Sequence, residues 1–92
     1  MTFKIGDEVE WTSQAGGRTT TKRGQIGRVL QRLAAPFVSS EDHLNIHSNY
    51  KVMFDSIWAR PHESYLVVVP APGRGKPRLY WPRVSALRSV EP

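Results

Sequence analysis

The chain contains no cysteine. That excludes a disulfide framework and any metal site built on thiolates. Long apolar runs are missing too. The longest covers residues 66–69, far short of the roughly 20 residues needed to span a bilayer. Residues 1–5 carry no apolar leader segment. These absences imply no membrane partner, and a cytoplasmic location is the expectation. No serine sits in a nucleophile-elbow motif, and Gly73-Arg74-Gly75 is too short a glycine stretch, set among prolines, to cradle a phosphate as known loops do. Asp7 and Glu8 are adjacent, so a strand would send them to opposite faces rather than pair them as acid and base. No catalytic residue or cofactor site stands out, and a non-enzyme is expected.

What remains is one domain's worth of chain, residues 1–92. Such a domain buries about 60–65% of its unfolded surface. Hydrophobic residues make up 39% and charged residues 23%, with both signs present, as in an ordinary globular protein. The net charge is +5. A basic balance favours an anionic partner such as nucleic acid, although it also serves plain solubility.

Hydrophobic patterning reads mainly as short strands. Val9 and Trp11 alternate with Glu8 and Glu10, giving a strand over 8–12 with one wet face. Residues 13–23 lack a large apolar side chain and hold Gly16-Gly17 and three threonines, which suggests a hairpin loop. Ile26, Val29, Leu30 and Leu33 have helical spacing. Gly24 and Gly27 would each cost a helix about 1 kcal/mol, so a strand over 24–31 with a bulge near Gly27 is the better reading. Pro36 interrupts the chain, and Ser39 with Asp42 resembles a capping box ahead of a helical turn over 40–47. Strands follow over 50–55, 64–69, 78–81 and 88–90, with a helical turn over 84–87. The segment 64–69 is apolar on both faces and should be central. The expected fold is all-β: a small SH3-like barrel of about five strands with a 34–62 insertion and a short helical turn before the last strand.

That ordering resembles the SH3-like barrels of the Tudor and KOW type. The matching pieces are Gly6-Asp7-Glu8-Val9, Gly24-Gln25-Ile26, the strands at 65–69 and 79–81, and Trp81-Pro82-Arg83-Val84-Ser85-Ala86-Leu87. The same pieces are similar in part to the plasmid-borne type II dihydrofolate reductases. That resemblance implies a reductase-like enzyme on a symmetric oligomer, and it places the family's active-site glutamine at a position held here by Leu79. Leucine cannot hydrogen-bond a pteridine or a nicotinamide.

Two segments concentrate positive charge. Arg18, Lys22 and Arg23 lie in the first, and Arg74, Lys76 and Arg78 in the second. On a barrel of this topology both would border one rim, where six cations could contact phosphates and Tyr80 could stack a base. Ordinary solvated loops would carry similar residues. Of the three tryptophans, Trp11 falls at an inward position, while Trp58 and Trp81 are candidates to face a partner. Trp58 with Asp55 could form a cage for a cation, or fold back over the core. His43, His47 and His62 match no zinc pattern, so no metal is expected. The leading functional reading is a small basic module that binds nucleic acid through two basic loops. The alternatives are a protein-interaction module, whether self-associating or carried on a mobile element or phage to act on a host factor, and the reductase-like enzyme.

Overall fold

A computed structural model describes residues 2–15, 17–55, 58–71 and 73–90. The elements are β1 (Glu8–Ala15), β2 (Arg18–Leu30), α1 (Ser40–Asn49), β3 (Lys51–Val52), β4 (Ser64–Val69), β5 (Arg78–Tyr80), a single 3-10 turn (Val84–Ala86) and β6 (Arg88–Ser89). One six-stranded sheet takes the order β3-β5-β4-β2-β1-β6. The fold is the small, barrel-like, all-β one that the sequence implies, with the short helical turn ahead of the last strand. The sixth strand, β3, comes from the insertion and runs parallel to β5.

The entry to β1 is a reciprocal turn. The Lys4 amide donates to the Asp7 carboxylate at 2.9 Å and the Asp7 amide donates to the Lys4 carbonyl at 3.0 Å. Gly6 between them sits at φ +91°, a conformation glycine adopts without steric cost. From there β1 and β2 form a long ribbon, paired from Glu8↔Gln25 out to Ala15↔Arg18. The expected loop over 13–23 is therefore mostly strand. Its lack of apolar residues reflects a ribbon that is wet on much of both faces, and its threonines are β-branched residues that suit a strand.

The bulge falls where the sequence places it. Ile26 pairs with Val67 and Arg28 with Leu66, leaving Gly27 as the extra residue. A one-residue slip exchanges the two faces of a strand. Ile26 thus points into one core, while Arg28 and Leu30 point to the opposite side of the sheet. Two cores result. Phe3, Val9, Trp11, Ile26, Tyr65, Val67 and Leu87 fill the inside of the curved sheet. Leu30, Ile46, Leu66, Leu79 and Trp81 form a second cluster on its outer face, with Phe37, Tyr50, Val52 and Phe54 packed against them. The insertion is what covers that outer face, so β4 is central and apolar on both sides. Across the inner face Trp11 of β1 meets Tyr80 of β5, with ring centroids 5.4 Å apart.

Helix α1 begins at Ser39, whose hydroxyl accepts from the Asp42 amide at 3.1 Å. Glu41 and Asp42 in its first turn suit the helix dipole. Ile46 is its one buried side chain. The helix is fixed as well by Arg28, which donates to both Asp42 carboxylate oxygens at 2.9 and 3.1 Å. The two ends of the insertion are joined where the Leu33 amide donates to the Arg60 carbonyl at 2.8 Å. The strand expected over 50–55 is only Lys51–Val52, extended by one bond from the Met53 amide to the Leu79 carbonyl.

Candidate functional site

β3 and β5 run parallel, with Lys51 beside Arg78 and Val52 beside Leu79 as Cα partners. Alternation sends Val52 and Leu79 into the second core and leaves Lys51 and Arg78 together on the other face. The β4–β5 loop and the end of α1 complete the surroundings. Lys76 in that loop reaches its ammonium to the His47 carbonyl at 3.4 Å, near the helix C-terminus. The outcome is an open depression of about 550 Å³ lined by His47, Tyr50, Lys51, Val52, Ala71, Gly75, Lys76 and Arg78. Three of these residues are cations and none is acidic. Among the described residues the ion pairs are Arg23–Glu10, Arg28–Asp42 and Arg88–Glu10, so Lys51, Lys76 and Arg78 take part in none.

The cations singled out from sequence divide differently from the expectation. Arg74 and Lys76 are exposed in the β4–β5 loop and Arg78 opens β5. Arg18, Lys22 and Arg23 are not in a loop at all. They lie on β2, where consecutive residues face opposite ways. Arg23 pairs opposite Glu10 and reaches its carboxylate at 3.4 Å. Lys22 pairs opposite Trp11 on the inner face. There its ammonium bonds the Ser13 hydroxyl at 2.5 Å and stands 5.7 Å from the centre of the Tyr80 ring. Lys22 and Arg23 therefore point to opposite faces of the ribbon. Tyr80 is half-buried between Trp11 and Lys22, so it is not a free stacking platform.

Trp81 also departs from the expectation. It is 6% exposed and cannot face a partner. Its indole N–H donates to the Ser64 hydroxyl at 2.9 Å, and Phe54 packs against it. The Arg60 guanidinium lies 4.0 Å from the ring centre and donates to the carbonyls of Trp81 and Pro82, each at 2.8 Å. Burial, and secondarily the charge of Arg83, push the Arg60 pKa below its ordinary value. Arg60 acts as a structural clasp. Trp58, in contrast, is 80% exposed.

His43 and His47 stack at 4.3 Å with Phe37 against both rings. Among the described residues no three His, Asp or Glu side chains come together as a metal site, and no helix is long and apolar enough to cross a membrane. Asp42, the nearest carboxylate in sequence, is committed to Arg28 and to the Val38 amide, which hold its pKa at about 2.

Comparison with protein-family models, with curated proteins and with solved structures finds no match to this chain. Sequence reasoning missed Lys51 and Tyr50, and weighed His47 only as a metal ligand. The signal for Lys51 was its place at the head of a strand, but its parallel partner, 27 residues later at Arg78, is a non-local pairing.

Proposed function

We propose that the chain is a small non-enzymatic module that binds nucleic acid, holding phosphates at the end of the sheet where Lys51, Lys76 and Arg78 converge. One observation carries this reading: Lys51 and Arg78 stand side by side on one face, with Lys76 close by and no carboxylate among the described residues of the lining. Like charges directly opposed across strands are destabilising, so the arrangement suits an anion that arrives with the partner. Arg74 in the adjoining loop extends the positive surface, as does Arg18 at the tip of the ribbon if the partner is long. Backbone contacts of this kind give affinity without a base code. The test is binding of labelled single- and double-stranded DNA and RNA by the wild type and by Lys51→Glu/Arg78→Glu. Charge reversal should abolish binding at moderate salt; equal binding by both proteins overturns the assignment.

A second reading, a protein-interaction module, has one observation in its favour. Val38, Leu44, Met53 and Trp58 are exposed large apolar residues within the inserted region, and Leu33 is exposed just before it. Sedimentation across a concentration range, and partner binding that survives nuclease, would favour it. The reductase reading gains less. Leu79, at the glutamine position of that family, is 4% exposed in the second core and has nothing to offer a nicotinamide.

A further inference from the structure

The basic depression is not lined by cations alone. Tyr50, Val52 and Ala71 line it as well, beside Lys51, Lys76, Arg78 and His47. Its volume of about 550 Å³ falls within the ~300–1,000 Å³ typical of small-molecule sites. A surface that only tracks a phosphate backbone needs a charged groove, not a pocket whose lining also includes an aromatic ring and aliphatic side chains. Three elements build these walls: the end of α1, the β3–β5 ladder and the β4–β5 loop. The Lys76 bond to the His47 carbonyl and the Lys51 amide bond to the Pro77 carbonyl at 2.9 Å hold the three together.

Resting on the nucleic-acid reading, we infer that this depression seats a nucleoside monophosphate unit whose phosphate is a terminal monoester. The phosphate lies against Lys51, Arg78 and Lys76, and the base lies along Tyr50, Val52 and Ala71. A monoester carries about −1.5 to −2 charge near neutral pH, against −1 for an internal diester. Three cations without a carboxylate discriminate between the two by charge. Arginine contributes a planar fork suited to phosphate oxygens, and the lysines contribute point charges. The unit can come from the end of a strand or from a free nucleotide, and the chemistry is the same.

The experiment measures binding of the full chain to three probes. Two are one short, internally labelled single strand ending either in a 5′-phosphate or in a hydroxyl. The third is a free nucleoside monophosphate, followed by amide chemical shifts. The phosphorylated end should bind about tenfold more tightly, the scale of one added charge-assisted contact. Lys51→Ala/Arg78→Ala should erase that advantage, and Arg88→Ala, on β6 at the opposite edge of the sheet from β3, should keep it. Retained circular dichroism shows that the variants fold. If both strand ends bind equally well, the terminal-phosphate inference is overturned while the nucleic-acid reading stands. If the free nucleotide shifts the amides around the depression but neither strand binds, the pocket stands and the nucleic-acid reading falls. No binding of any probe overturns both.

Discussion

Lys51 and Arg78 are direct neighbours across the parallel β3–β5 ladder, two cations on one face with no carboxylate among the described residues that line the depression around them. A protein that selected only for its own stability would gain by placing opposite charges there. Lys51→Glu should therefore stabilise the free protein by about 0.2–1 kcal/mol, the worth of a cross-strand charge pair, and should weaken nucleic-acid binding. Chemical denaturation at low salt checks the first effect and a binding titration the second. A variant that loses stability would show that Lys51 is held by something other than repulsion.

The Arg28–Asp42 pair predicts how stability depends on acid. The hydrogen bonds from Arg28, and then the Val38 amide, keep the Asp42 carboxylate ionised down to about 2, against an ordinary value of 3.8. Between those values the unfolded chain binds a proton that the folded protein refuses. Folding is thus favoured above the ordinary value, and that contribution is lost as pH falls from about 4 to 2. Thermal unfolding followed from pH 6 to pH 2 should show Asp42→Asn less stable than wild type at pH 6 and the gap closing towards pH 2. A gap independent of pH would mean that the pair acts through shape and not charge.

Gly24 is required by a close approach of two strands. A Cβ at this position would collide with the Val68 carbonyl oxygen, which is backbone, and would sit 3.0 Å from Val67 Cγ1. Gly24→Ala should cost about 1–3 kcal/mol, as overpacking of a core does. Urea denaturation measures it. Gly17→Ala tests a different cause: the space there is open but φ is +79°, so the penalty is conformational alone.

Tyr65 links the N-terminal segment to the barrel. Its ring is 1% exposed, and its hydroxyl accepts from the Phe3 amide at 3.2 Å while donating to Glu63 at 2.5 Å. Burial, then the bond to Glu63, raises its pKa above the ordinary phenol value. Tyr65→Phe leaves the Phe3 amide unpaired and should cost about 1–3 kcal/mol, read as a fall in the denaturation midpoint.

Much of this fold is written locally. The alternation around Val9 and Trp11, the apolar run of β4, the Ser39 cap and the bulge at Gly27 each follow from a few adjacent residues, and each lies where the sequence places it. The ribbon of β1 and β2 was harder to see, because polar residues on both faces read as loop when no core marks one side. Trp81 was misjudged for a related reason. Its burial depends on Phe54 and Arg60, which arrive from the insertion. The site has the same character. Arg74, Lys76 and Arg78 were visible as a cluster, whereas Lys51 and His47 join them only through a parallel pairing and a helix end that no sequence period encodes.

The most direct test is the salt dependence of nucleic-acid binding by the wild type and by Lys51→Ala/Arg78→Ala. The wild type should bind, and the logarithm of its affinity should fall linearly with the logarithm of salt concentration. Each phosphate contact to a single strand adds about −0.7 to that slope, so loss of two cations should flatten it by about 1.4. Absence of binding at low salt, or a slope unchanged in the double variant, would contradict the account.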